Sequence, residues 1–131
     1  MIGWSHGGWA VMAIVDGVYR DEDREPFQAA IALFPPWEFL ARLDTPLLVL
    51  IGEKDNFSFA SRFERSTSSD NMKGLKVEFS PKIFPNAHHA FDFEGVKKDA
   101  YGIHSEYNPR ASRDAIAQTK DFLAKYLKLK K

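Results

Sequence analysis

The chain contains no cysteine, which excludes disulfides, thiolate metal sites and a cysteine nucleophile. It lacks an excess of either charge: 18 Lys and Arg balance 18 Asp and Glu, for a formal net charge of +0. A nucleic-acid or anionic-membrane surface would need a basic excess, so neither partner is expected. It also lacks a long hydrophobic run. The apolar segment Trp9 to Val15 falls well short of the roughly 20 residues a membrane helix requires. No basic segment precedes it, so it does not read as a signal peptide, and a cytoplasmic location is the default expectation. Internal repeats, low-complexity tracts and recognised zinc-ligand spacings are missing as well, so neither a metal nor an organic cofactor is implied. What remains is 131 residues, 44% hydrophobic and 27% charged, enough for one globular unit with a modest core.

Against these absences one stretch stands out. Gly3-Trp4-Ser5-His6-Gly7 has the form G-x-S-x-G, the mark of a sharp strand-to-helix turn that holds a serine up for nucleophilic attack. Gly3 and Gly7 would let strand and helix approach closely while Ser5 takes a strained backbone conformation. Only Met1 and Ile2 precede the motif, so almost no strand is expected in front of it. Without that strand, the segment Phe27 to Phe34 would keep an open edge that invites self-association.

The rest of the chain alternates between helix and strand patterns. Gly7 to about Val18 reads as a helix, apolar nearly all round and therefore buried. The charged run Arg20 to Glu25 is a surface turn, closed to helix by Pro26. Phe27 to Phe34 reads as a buried strand, and Trp37 to Pro46 as a connection with a helical turn. The continuous apolar run Leu47 to Ile51 is expected of a parallel strand covered on both faces. Ser58 to Arg65 suggests a helix with Phe59 and Phe63 on one face, and Ser66 to Asn71 a loop. Lys76 to Phe84 reads as a strand that Pro81 confines to a sheet edge, with a long polar loop after it. Asn108 and Pro109 open the last helix as N-cap and first residue. Ile116, Phe122, Leu123, Tyr126 and Leu127 form its apolar stripe, and its terminal lysines suit the negative end of the helix dipole. The fold class is therefore α/β, about three parallel strands flanked by helices.

In open parallel sheets reactive groups gather beyond the carboxyl ends of the strands. Ser5, Asp55 and His89 each follow a predicted strand end. Serine needs an adjacent base to become a nucleophile. Histidine can serve as that base, and a buried carboxylate can fix its tautomer and stabilise the imidazolium. The chain order Ser, Asp, His is the one expected of an α/β-hydrolase.

Together, Gly3 to Gly8, Ile51-Gly52-Glu53-Lys54-Asp55 and Pro85-Asn86-Ala87-His88-His89-Ala90-Phe91-Asp92 resemble the dienelactone hydrolase family over essentially the whole chain. The resemblance implies Ser5 as nucleophile, Asp55 as acid and His89 as base, acting on a small carboxylic ester or lactone through an acyl-enzyme. Founding members carry cysteine at the nucleophile position, so Ser5 points to a serine-bearing branch and away from dienelactone itself as substrate. The family fold has further strands before the turn. The chain is accordingly expected to be the C-terminal half of a longer hydrolase, one partial domain over residues 1–131. The backbone N–H of His6 would be one oxyanion donor, with Trp4 and His6 near the pocket, while the second donor would come from a loop after an earlier strand. Loss of one donor costs about 10²–10³ in rate.

Competing uses exist for each residue. Asp55 is also suited to capping the helix near Ser58, whereas Glu53 and Asp44 are poorer candidates for the acid because of their places along the strand. The residues themselves do not rank His88 against His89, and the preference for His89 rests on the resemblance. Either histidine with Asp92 or His104 would be a metal reading without a recognised spacing. Trp4, Trp37, Phe57 and Phe91 could shape an acyl pocket or be plain core. The same turn serves peptidases and acyltransferases, and a non-catalytic module that only associates with itself or a partner is the alternative from another class.

Overall fold

In a computed structural model of the chain, described for residues 1–17, 23–36, 40, 42–67 and 74–128, four parallel strands stand in the order β1-β2-β3-β4. They are β1 (Ile2–Trp4), β2 (Ala30–Leu33), β3 (Leu47–Gly52) and β4 (Phe79–Phe84). Helices α1 (His6–Val15), α2 (Ala60–Thr67) and α3 (Pro109–Leu127) flank the sheet, and β5 (Lys97–Ala100) pairs antiparallel with β6 (Ile103–Glu106) in a separate hairpin. Among the described residues no helix is long and apolar enough to cross a membrane.

Side-chain alternation along the central strands builds two cores. Ala30 and Ala32 of β2 and Leu47, Val49 and Ile51 of β3 turn to one face, where Val11, Met12 and Val15 of α1 and Phe63 of α2 cover them. Ile31, Leu33, Leu48 and Leu50 turn to the other, against Ala111, Ala115 and Phe122 of α3. Every residue of β3 is buried, as its unbroken apolar run requires, and each fully buried leucine contributes about 1.5–3 kcal/mol. Pro81, which has no N–H to donate, is accommodated because β4, among the described residues, is an outer strand pairing only with β3.

Several expectations are corrected. Ile2–Trp4 does form the strand in front of the turn, in register with Ile31 to Leu33. The sheet thus has four strands instead of about three, and β2 has partners on both sides. Three residues are too few to show periodicity, but Met1 and Ser5 extend the ladder: Ile31 N–H donates to Met1 O at 3.0 Å, and Ser5 N–H to Leu33 O at 2.9 Å. Helix α1 is not buried all round, since Trp9 and Ile14 lie on its outer side. Phe59 and Phe63 do not share a helix face: α2 starts at Ala60, leaving Phe59 exposed while Phe63 is fully buried. Strand β4 begins at Phe79, and the expected polar loop contains the hairpin. Ile116 is 53% exposed, and the buried stripe of α3 runs through Ala111, Ala115 and Phe122. The predicted Asn108 cap is present, its side chain accepting from Ala111 N–H at 3.0 Å. Val18, the turn starting at Arg20, Trp37 and the end of the Ser66 to Asn71 loop involve residues outside those described.

Candidate active site

The turn at Ser5 is strained as the motif predicts. Ser5 has φ 51° and ψ −119°, a conformation that costs a non-glycine residue about 1–3 kcal/mol. Gly3 makes it feasible. A Cβ there would stand 2.3 Å from the carbonyl oxygen of Gly7, so only glycine lets β1 and α1 meet at this separation. His6 opens α1, and its N–H belongs to the first turn, where amides lack intrahelical partners and the helix dipole is positive.

Two loops bring their residues to the serine. After β3, Asp55 is buried, 4% exposed. After β4, Asn86 and Ala90 take positive φ values of 58° and 54° on either side of the histidines. Between them His89 is turned inward, 7% exposed. Its Nε2 lies 3.1 Å from Ser5 Oγ and its Nδ1 2.9 Å from Asp55 Oδ2. The loops approach closely at Gly52, where a Cβ would fall 2.3 Å from Ala87 O and 2.9 Å from His88 O.

Asp55 engages both His89 and a turn ahead of α2, which begins at Ala60. Oδ2 faces His89, while Oδ1 accepts the N–H groups of Phe57 at 2.8 Å and Ser58 at 2.9 Å, in a turn that ends before α2 begins. Burial pushes the Asp55 carboxyl up, but the hydrogen bond from His89 and those from the backbone outweigh it, and the net displacement is below the ordinary carboxylate value. Asp55 is therefore an ionised acceptor, which leaves His89 Nδ1 as the donor and Nε2 free to accept from the serine hydroxyl.

Aromatic rings fix the imidazole. Phe34 meets His89 edge-on at 4.8 Å and Phe57 does so at 5.4 Å. Phe34 takes φ 37° at the end of β2, and its carbonyl accepts the buried Ser58 hydroxyl at 2.6 Å. The sequence places Phe34 and Ser58 at the ends of elements without marking them as site residues, because nothing in their local pattern distinguishes them from core and loop.

The remaining candidates disperse. His6 is exposed, its ring 5.7 Å from that of Phe57. Trp4 points to the α3 side, where its Nε1 donates to Asp92 Oδ2 at 2.7 Å. That bond joins the Ser5 turn to the histidine loop. Trp4 and Asp92 also border a hollow of about 220 Å³ with Ile2, Leu33, Ala115 and Ile116. Burial raises the Asp92 carboxyl, a shift that the Trp4 bond only partly offsets. Phe91 is wholly buried against Phe34 and Phe84 and is core instead of pocket lining. Trp37 lies outside the described residues. Glu53 instead accepts the N–H of Asn86 at 2.9 Å, and Asp44 pairs with Arg24 at 3.8 Å. His88 faces away from Ser5 toward His104, the ring centres 4.4 Å apart.

Comparison with known proteins agrees with the fold. Ten solved chains match the structure. One is assigned as a dienelactone hydrolase from Klebsiella pneumoniae subsp. pneumoniae MGH 78578, with a TM-score of 0.71 and 17% sequence identity over 95% of this chain and 51% of that one. At that identity the likeness speaks to fold, and the chain spans about half the length of that solved relative. No curated protein matches the sequence. The model of the dienelactone hydrolase family matches residues 1–127, and with a parallel sheet carrying a strained serine turn, the chain belongs to the dienelactone hydrolase family.

Proposed function

We propose that this chain carries the catalytic residues of a serine hydrolase that cleaves a carboxylic ester or lactone. The observation that supports it is the continuous relay from Ser5 Oγ through His89 to Asp55, with separations of 3.1 and 2.9 Å. In this reading Ser5 Oγ attacks the carbonyl carbon as its proton passes to His89 Nε2. Asp55 stays ionised and stabilises the imidazolium. His89 then gives the proton to the leaving alkoxide, and an acyl group remains on Ser5. Water, deprotonated by His89, attacks that acyl carbon; the bond to Ser5 Oγ breaks as His89 returns the proton to that oxygen, and the carboxylic acid leaves. For a lactone the alcohol and acid are the two ends of one product. The His6 N–H, at the positive end of α1, would receive the oxyanion.

The test is labelling of the purified protein with a fluorophosphonate, together with turnover of a simple aryl ester. Ser5→Ala should abolish labelling and lower kcat/KM by about 10⁴–10⁶. Labelling that survives in Ser5→Ala refutes the assignment. The apolar flank at β1, where Ile2 and Trp4 are 45% and 41% exposed, favours a second reading in which the chain serves as an association module. A well-folded parent protein that neither labels nor turns over ester would favour that alternative.

A further inference from the structure

The hairpin β5–β6 docks directly onto the loops that present His89 and Asp55. Glu106 N–H donates to His89 O at 3.1 Å, His104 N–H to Asn56 Oδ1 at 3.1 Å, and Asn56 Nδ2 to Gly102 O at 2.7 Å. At this junction one nitrogen from each of the His88 and His104 rings and a Glu106 carboxylate oxygen all lie within 4.8 Å of one another. Ion pairing accounts for His104, whose Nδ1 meets Asp99 Oδ1 at 2.9 Å and whose Nε2 meets Glu106 Oε2 at 2.9 Å. It does not account for His88. The Nδ1 of that ring is buried with no hydrogen-bond partner among the described residues, and such an atom forfeits its full desolvation cost.

We propose that His88, His104 and Glu106 bind a divalent transition-metal ion of the zinc type, clamping the hairpin to the loop that carries His89. Two imidazoles and one carboxylate are a common zinc donor set, with a fourth position left to water. The surroundings fit. Asp99 holds Nδ1 of His104 and so leaves Nε2 as the ligand atom, the carboxylate–histidine arrangement seen behind metal-bound histidines. Lys97 engages only Oε1 of Glu106, at 3.3 Å, and its side chain is 75% exposed, so it can withdraw while Oε2 turns to the ion. Ligand atoms on a tetrahedral zinc stand about 3.4 Å apart. The three atoms lie within 4.8 Å of one another, and His104 Nε2 and Glu106 Oε2 at 2.9 Å, so reaching that spacing needs movements of about an ångström, within the reach of the partly exposed His104 and Glu106 side chains. The sequence offers His88 with His104 only without a recognised ligand spacing, and Glu106 not at all, because the three come from a loop and from β6.

Isothermal titration of zinc into the untagged, chelator-treated protein tests this. One ion per chain is expected, together with a rise in melting temperature. His88→Phe, which keeps an aromatic ring beside His104 but offers no ligand, should weaken binding by at least about 100-fold and abolish the thermal shift. Asp99→Asn should weaken binding by about 10–100-fold. Circular dichroism reports whether each variant folds, and if His88→Phe does not, Glu106→Gln decides with the same expected loss. Ser5→Ala should bind zinc as the parent does, so the site stands or falls apart from the ester reading. Absence of saturable binding, or equal binding by the parent, His88→Phe and Glu106→Gln, would overturn the proposal.

Discussion

Asp55 and Asp92 flank the same histidine, one in the loop after β3 and one beyond β4, and the protein treats them in opposite ways. Asp55 is the more deeply buried, yet it is held below the usual carboxylate range because His89 and two backbone N–H groups donate to it. Asp92 is pushed above that range by burial, which the Trp4 indole and its own backbone N–H offset only in part, and one oxygen is left without a partner among the described residues. Burial alone would displace both upward. The supply of donors separates them, favouring the carboxylate on the Nδ1 side of His89 and disfavouring it at the Trp4 tie.

Exchanging each carboxylate for its amide tests that contrast most severely. In the proposed reaction Asp55→Asn should lower kcat/KM by about 10⁴ through loss of the correct tautomer. Asp92→Asn keeps an acceptor for Trp4 and should cost less than about tenfold. Equal losses in ester turnover would break the distinction. Gly52→Ala gives a smaller effect. The added methyl would strike Ala87 O and His88 O and push the histidine loop away from Asp55 while leaving both carboxylates intact. A loss of about 1–3 kcal/mol in denaturant unfolding and of about 10² in rate is expected, and a fully stable, fully active variant would show that the close approach does not position His89. The subtlest effect lies in the pH dependence of stability. Because the folded-state value of Asp55 is depressed, its contribution is present above its ordinary value of 3.8 and is lost as acid carries the protein through the lower folded value. Asp92 has the reverse sign. Its raised folded value favours the folded state in acid, and stability falls as rising pH ionises it. Melting temperatures of the two amide variants measured from acid to neutral pH should therefore diverge from the parent with opposite slopes.

Much of this site was legible in the sequence because its signals are local. The G-x-S-x-G turn, the unbroken apolar run of β3, the proline that confines β4 to an edge and the Asn108-Pro109 start of α3 each record one physical demand in consecutive residues. Ser5, Asp55 and His89, which stand within hydrogen-bonding distance of one another in series, each follow a strand end, but the preference for His89 over His88 rested on the family resemblance. Other features depend on distant segments and leave no such record. β1 is a strand because β2 lies alongside it, not because three residues prefer to be extended. The hairpin was missed because Lys97–Ala100 and Ile103–Glu106 are polar, partly exposed strands without an alternating apolar face. Trp4 and Asp92, Phe34 and Ser58, and the Gly52 contact with Ala87 arise only once the chain has closed on itself. The stripe of α3 was misjudged at Ile116 because alanines, whose small side chains sit close to the sheet, do more of the covering than the larger residues.

The three register pairs of β1 have a kinetic consequence. β3 is bonded along its length to β2 and β4, so its amides can exchange with solvent only through large openings of the fold. β1 is bonded on one side, over Ile2 to Trp4, among the described residues, and such short, singly supported segments open at the low end of the local free-energy scale. Among the described residues Ser5 thus follows a short strand bonded on one side, and Asp55 lies in the loop that leaves the strand bonded on both.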